Sequence, residues 1–488
     1  MRVRAFVLWV FTACLLCACS EAGAARSPLP APAEPAEVRE PGTLIWWNVG
    51  NNYPANFEAG MENINGYLSG NGLFRIDLRL VPYNDLMPAL QKMIRSGEHF
   101  DLAFTDASSY NQLVNMGAFS DITYSVRSQS PDLWASIPKL LWQGAHVNGR
   151  IFAVPTYKDS SQTQYWAFDA SYARKYGIDL SILRDMADLD AVFRKMKRGE
   201  GADFYPLKFF NGNYFSGIFF EYDALSTGLL PIGVKLDDPT RTLVYTLEQP
   251  EVMERLTLLH EWYQDGLINP DARTRAEAAG APPFLSSVGW PGAENLWERT
   301  YGVEEYVSTT VNGPIYTTDS VQGSMNAISA DSAYTDEALK LLERINTDHT
   351  LRDMLAYGIE GRNFAYESEN VVQVLNNDWN VEVFSQGSFF VMSQMSGGPP
   401  NQWEQLLAVN ESATPSVLMG FMLNIQDIAL EMDMCNDIWR RYHIDLLTGV
   451  ADPAVAVPAC MAELKAAGIE TIVSEAQKQI RQYYLPLF

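Results

Sequence analysis

The order of strand-like and helix-like stretches at the start of the folded sequence limits the architecture more than any other feature. "GTLIWWNVG" is a short β-type run that stops at a polar, glycine-containing loop. "PANFEAGMENINGYLSGNG" follows, with apolar residues at helical spacing and a glycine terminator. "FRIDLRLVPY" alternates strictly and reads as a strand. "NDLMPALQKMIRSGEHF" opens with Asn84 and Asp85 as cap candidates and closes at Gly97, and "DLAFTDASS" is a further strand ending in small polar residues. Helix-length crossovers between successive strands predict a parallel sheet with helices on its faces. In such sheets ligands collect at the carboxyl ends of the strands. Those ends carry Trp46, Trp47 and Asn48 in one case and Thr105, Asp106 and Ser108 in the other.

Farther along, "GRIFAVPTYKDSSQTQYWAFDASYARKYG" reads as strand, polar turn, strand and helix, with Pro155 ending the first strand. "TLEQPEVMERLTLLHEWYQDGLINPDA" predicts a long helix from Pro250 to a stop at Gly266. "TDEALKLLERINTDHTLRDMLAYG" carries two helices, and the last sixty residues are helical. No internal repeat is visible. A folded part from about Thr43 to Phe488 is too long for one ordinary domain and points to two or three.

The first residues are of a different kind. Arg2 and Arg4 precede "AFVLWVFTACLLCAC", which is too short for a membrane-spanning helix of about 20 apolar residues. A basic start, a short apolar core and small residues at its end describe an export signal. Leu16-Cys17-Ala18-Cys19 resembles the cleavage and lipidation site of bacterial lipoproteins, with 1–18 as signal peptide and Cys19 as the acylated N-terminus. Residues 19–42 are rich in Ala, Pro and Glu and read as a flexible tether. No His or carboxylate accompanies Cys14, Cys17 and Cys19, which argues against a metal site there.

Composition narrows the function classes. The formal charge of −24 argues against nucleic acid, which needs clustered Lys and Arg. No phosphate-binding glycine loop occurs, and "HEWYQ" at His260 has Gln264 where a zinc protease motif needs a second His. No nucleophile pattern and no spaced acidic pair stands out, so the chain reads as a non-enzyme without cofactor or metal. Two cysteines remain after processing, Cys435 and Cys460. A bridge between them requires the "VADPAVAV" connection to run back along the preceding helix; otherwise they are two buried thiols.

Three stretches, "LIWWNVGNNYPANFEAGMENINGYL", "LQKMIRSGEHFDLAFTDASSY" and "VNGRIFAVP", resemble the N-terminal half of family 1 extracellular solute-binding proteins. These are sugar receptors of bacterial ABC importers. "SMNAISADSAYTDEALKLLERINTDHTLRDMLAYGIEGRNF" and "LKAAGIETIVSEAQKQI" are similar to the subgroup called LipO or LplA, which has a distinctive C-terminal region. The resemblance implies an α/β, two-lobe periplasmic-binding-protein-like fold (type II), each lobe a mainly parallel sheet with helices, and a helical C-terminus. It implies crossings near Pro155, Val307 and Phe364. Lobe one is then 43–155 plus 308–364, and lobe two 156–307 plus 365–488. The implied partners are a saccharide held in a cleft between the lobes, ABC permease subunits, and a membrane reached through the lipid of an exported, envelope-anchored monomer. A macromolecule-binding scaffold and a peptide or polyol receptor are the alternative readings. Where the subgroup has a Gly-Asn pair after a Trp-containing loop, this chain has "DWNVEVFSQGSFF", with Gly387-Ser388.

Sugar rings offer a flat C–H face and a rim of hydroxyls. Trp and Tyr supply flat apolar area, and Asp, Glu and Asn take the hydroxyls. The chain has 12 Trp and 23 Tyr, many beside Asn, Gly or Asp instead of inside apolar runs, so selection by position is possible. The candidates are Trp47, Tyr157, Trp166, Trp290 and Trp379, with Asn48, Asp106, Asp159 and Glu360 as polar partners. Strand alternation sends one of Trp46 and Trp47 into the core, and Trp47 is the one assigned to ligand.

Overall fold

A computed structural model describes residues 42–225, 230–276 and 280–485. The export signal at 1–18, Cys19 and the tether up to residue 41 lie outside the described residues. The chain divides into two compact units: residues 42–158 with Ser324–Gly397, and Asp159–Gly323 with 398–485. The chain therefore crosses at 158/159, 323/324 and 397/398. The crossing expected near Val307 falls inside a long strand of the second unit, and the one expected near Phe364 falls inside a hairpin of the first.

The strands that frame both units are β1 (Thr43–Val49), β2 (Arg75–Val81), β3 (Leu102–Thr105), β4 (Ala153–Pro155), β5 (Gln162–Asp169), β6 (Phe284–Gly289), β7 (Tyr306–Tyr316), β8 (Met325–Ile328) and β9 (Thr414–Pro415). The first unit's main sheet runs in the order β2-β1-β3-β8-β4. β1 pairs in parallel with β2 and β3, as the helix-length crossovers predict. β8 pairs antiparallel with both β3 and β4. The second unit's sheet, β6-β5-β7-β9, has two antiparallel pairings and one parallel one. Both sheets are thus mixed, where mainly parallel ones were expected.

The crossings explain the difference. β4 leaves the first unit and β8 re-enters it, so Pro155 at the end of one faces Met325 at the start of the other. In the second unit β5 begins just after one crossing and β7 ends just before the next, and Ile315 faces Gln162. A strand that returns from the other unit enters at the strand end where its neighbour left, and so runs antiparallel to it. The right-handed crossover rule does not govern such a pair.

Helices cover the sheets through periodic apolar faces. Helix Phe57–Gly70 buries Gly60, Met61, Ile64, Asn65 and Leu68. Its Asn65 reads β2 directly: the side-chain amide donates to the Ile76 carbonyl at 2.9 Å, and its oxygen accepts from the Ile76 amide at 2.7 Å. Helix Tyr83–Ser96 stops at Gly97, whose φ of 68° is left-handed and whose amide caps Met93. Helix Pro250–Gln264 starts on a proline at its first turn and buries Val252, Leu256, Leu259 and Trp262.

The C-terminal segment is not an appendage. Leu418, Phe421, Met432, Trp439, Leu464, Ile472 and Ile480 share one core with Phe168, Phe193, Leu256, Trp262 and Phe284. Within it Cys435 and Cys460 are both free and buried. The "VADPAVAV" stretch does not run back: helix Pro453–Ala466 begins there, capped by the Asp452 side chain. Cys435 therefore faces Leu464, whose carbonyl its thiol meets at 3.8 Å. Cys460 lies a turn earlier, about 6 Å along the helix. Burial pushes the two thiols up to about 11 and about 12. No helix among the described residues is long and apolar enough to cross a membrane.

Candidate functional site

The edge of the first unit's sheet where β1, β3 and β4 end and β8 begins gathers most of the expected residues. Alternation along β1 decides its three. Trp46 is fully buried and donates its indole N–H to Asn326 Oδ1 at 3.0 Å. Trp47 points to the opposite face, half-buried, with the Arg79 guanidinium 5.7 Å from its ring and its own buried indole N–H without a partner among the described residues. Asn48 is buried on the same face as Trp46; its Nδ2 donates to the Ser385 carbonyl at 3.3 Å and its Oδ1 accepts from the Val49 amide at 2.7 Å.

Asp106, just past β3, is likewise occupied. Its Oδ1 accepts from the Ser108 amide at 3.0 Å, the Ser108 hydroxyl at 2.6 Å and the Ser109 hydroxyl at 3.0 Å. Its Oδ2 accepts from the Tyr83 hydroxyl. The carboxylate thus builds the turn that starts helix Tyr110–Asn115. Tyr157, past β4, is buried against Phe390 with ring centroids 4.4 Å apart, and its carbonyl accepts from the Phe389 amide at 3.0 Å.

The loop of "DWNVEVFSQGSFF", singled out in the sequence for Trp379 and its Gly387-Ser388 pair, completes this edge. Residues 379–388 lie across the strand ends and are gripped from several elements. Ser324 Oγ donates to the Phe384 carbonyl at 2.7 Å, and Asn326 Nδ2 to those of Ser385 and Gln386 at 2.9 and 3.1 Å. Arg352, with no exposed surface, donates to the Val383 carbonyl at 2.8 Å, Gln386 Oε1 at 2.8 Å, the Ser388 carbonyl at 3.1 Å and the Gly387 carbonyl at 3.3 Å. Burial pushes its guanidinium down to about 10. The polar break of Asn326 in the apolar strand "MNAI" was the one sequence signal for this arrangement. Arg352 gave none, since an arginine in a helix ordinarily reads as solvent-facing.

Trp379 anchors the far end of the same loop. Its indole N–H donates to the Leu355 carbonyl at 3.1 Å, and its ring stacks on Phe57 with centroids 6.1 Å apart. A Cβ on Gly60 would come within 2.1 Å of it, so its ring is spent on packing. Glu360 is exposed and unpaired with Arg362; it lines a small pocket of about 210 Å³ with Asn63, Thr350 and Tyr366.

The second unit holds the other two candidates. Trp166, in the middle of β5, is 3% exposed and belongs to the large core beside Phe284. Trp290 follows β6 in a Trp-Pro-Gly turn, where its carbonyl accepts from the Ala293 amide at 2.9 Å and Gly292 takes a φ of 86°. It is half-buried against a small cluster of Tyr165, Ala293, Trp297 and Tyr306. Asp159 stands at the first crossing. Among the described residues no group of three or more His, Cys, Asp or Glu could hold a metal ion.

Comparison with known proteins gives these features a context. Residues 74–348 match the model of the bacterial extracellular solute-binding protein family, and residues 417–485 match a domain of unknown function, DUF3502. The chain is 26% identical over 455 residues to a carbohydrate ABC transporter substrate-binding protein of Streptococcus pneumoniae; the match covers 88% of this chain and 89% of that one. The crystal structure of the N-glycan transport solute binding protein NgtS from Streptococcus pneumoniae superposes with a TM-score of 0.81 at 23% identity, covering 90% of this chain and 98% of that one. An HMO binding, ABC-transporter associated solute binding protein from Bifidobacterium longum infantis gives a TM-score of 0.60 at 14% identity, with 91% of this chain and 99% of that one covered. The likeness to NgtS establishes the α/β periplasmic-binding-protein fold with mixed sheets and a helical C-terminus. The family model spans more than half of the chain, and its members bind a solute without transforming it: this chain belongs to the bacterial extracellular solute-binding proteins.

Proposed function

We propose that the chain is the substrate-binding protein of a carbohydrate ABC importer, which captures an oligosaccharide outside the cytoplasm and delivers it to permease subunits. The observation that carries this reading is the end-to-end similarity to a carbohydrate ABC transporter substrate-binding protein. NgtS, of the same fold, has been crystallised with Man1GlcNAc and with Man5GlcNAc. Trp290, half-buried in its Trp-Pro-Gly turn, is the aromatic contact this reading assigns to the ligand. The chain is a LipO/LplA-like lipoprotein, exported and held at the cell envelope by a lipid on Cys19.

A thermal-shift screen tests the ligand class. Man1GlcNAc, Man5GlcNAc, fructo-oligosaccharides, a peptide mixture and polyols are compared on the mature chain. A raised melting temperature with saccharides alone supports the reading, and a response confined to peptides or polyols overturns it. Trp290→Ala then separates a binding role from a packing one. A binding role leaves the ligand-free melting temperature nearly level and removes the ligand-induced shift. Lipidation has its own check: the Cys19→Ala protein should incorporate no labelled palmitate in its host.

A further inference from the structure

Resting on that saccharide reading, we propose that the Glu382 carboxylate is a hydroxyl acceptor of the sugar site, presented by a loop that the first unit pins on both sides. The polar side chains around it are committed to the fold. Asn48, Asn326 and Ser324 bond loop carbonyls, and both oxygens of Asp106 are taken up, one within its own turn and the other by Tyr83. Glu382 is the exception. It is half-buried, and among the described residues its carboxylate has neither a hydrogen bond nor an ion pair. Only its backbone carbonyl is engaged, by the Ser385 amide at 3.2 Å and hydroxyl at 2.6 Å.

The loop is built to hold this side chain still. Trp379, three residues before Glu382, is wedged against Phe57 and hydrogen-bonded to Leu355. Val383, one residue after it, gives its carbonyl to buried Arg352. Preorganisation of this kind lowers the ordering cost of binding. It also places Glu382 three residues from Ser385, whose carbonyl meets the Asn48 and Asn326 side chains at the strand ends.

The energetics point the same way. Burial raises the Glu382 carboxyl above its ordinary value, and no charged neighbour contributes. Asp223 and Asp445 are also raised by burial, but Asp223 accepts from Ser416 and Asp445 meets Arg273. A carboxyl with a raised folded-state value costs stability at neutral pH, and the cost disappears as pH falls through that value. A half-buried carboxylate whose charged form burial disfavours, with no partner among the described residues, is suited to an outside donor. A carboxylate can only accept, and sugar hydroxyls donate.

Titration calorimetry on the mature chain, with Man5GlcNAc as probe, tests this. Glu382→Gln is expected to bind about tenfold or more weakly, the worth of one charge-assisted hydrogen bond. Its ligand-free melting temperature should stay level or rise, because a half-buried charge with no partner among the described residues has been removed. Glu382→Ala should follow the same pattern. A wild-type chain that binds while Glu382→Gln binds equally well overturns the Glu382 role alone. A fall of several degrees in the ligand-free melting temperature of both variants makes the residue structural and overturns it too. A wild-type chain that binds no saccharide of the screen overturns the saccharide reading, and the Glu382 role with it.

Discussion

At the scale of single residues, the sequence put Trp47, Asn48, Asp106 and Tyr157 at strand ends, where the structure has them, but did not show what each side chain does there. Strand alternation correctly sent Trp46 inward, because period-two geometry is local and needs no knowledge of neighbours. It could not foresee that Tyr83 occupies the second oxygen of Asp106, a partner 23 residues away that depends on tertiary placement, whereas the bonds from Ser108 and Ser109 are local turn contacts. Arg352 was invisible for the same reason. A fully buried guanidinium that faces backbone carbonyls and has no carboxylate ion pair among the described residues is tolerable only when its donors are well satisfied. Arg352→Met should therefore cost about 2–5 kcal/mol, because it leaves several buried oxygen acceptors without a donor at about 1–3 kcal/mol each, offset by removal of a buried charge. Arg352→Lys should recover only part of that, because an ammonium lacks the planar fork. Urea unfolding of the three proteins measures both; a cost below about 1 kcal/mol for the Met variant would show that the loop holds without its grip.

At the scale of elements, helices were legible and their close contacts were not. The apolar spacing in Phe57–Gly70 fixes its inward face, yet its two inner glycines look alike in sequence. The structure separates them: a Cβ at Gly60 would strike the Trp379 ring, whereas one at Gly66 would meet nothing within 4 Å. Helix propensity alone favours Ala over Gly by about 1 kcal/mol at either site. Gly66→Ala should thus stabilise by roughly 0.5–1 kcal/mol. Gly60→Ala should destabilise by about 1–3 kcal/mol, as overpacking does. Opposite shifts in the unfolding midpoint are the expected result, and equal shifts would contradict the wedged position of Trp379. The helix Pro250–Gln264 offers a pH test. Glu251 in its first turn accepts from Tyr222 at 2.7 Å and pairs with Lys235 at 2.7 Å. Hydrogen bonds from Lys235 and Tyr222 lower its carboxyl from 4.5 to about 2. A lowered value means that the contribution is complete above the unfolded value and is lost as pH falls from about 4.5 towards about 2. Glu251→Gln should lose less stability across that window than the wild type, as read by denaturant unfolding at stepped pH.

At the scale of the whole molecule, the crossings were the hardest feature to read, because they depend on which sheet a strand joins and not on the strand itself. β7 carries no local mark that it pairs with β5, and β8 none that it returns to β3 and β4. The outcome is that neither unit is a continuous stretch of chain, and this fixes how the DUF3502 segment must behave. Its buried residues, among them Leu418, Phe421, Trp439, Leu464 and Ile480, complete a core begun by Trp166, Phe193, Trp262 and Phe284. A chain ending at residue 397 keeps every segment of the first unit but removes one side of the second unit's core. Exposing side chains that each contribute about 1.5–3 kcal/mol by burial exceeds the usual 5–15 kcal/mol stability of a folded unit several times over. The 42–397 chain should accordingly show protease-resistant fragments from 42–158 and 324–397, with rapid cleavage throughout 159–323. Adding 398–485 as a separate chain should restore protection to 159–323, since the missing side of the core is then supplied in trans. Equal resistance of 159–323 with and without the C-terminal segment would show that DUF3502 is an accessory to a unit complete without it.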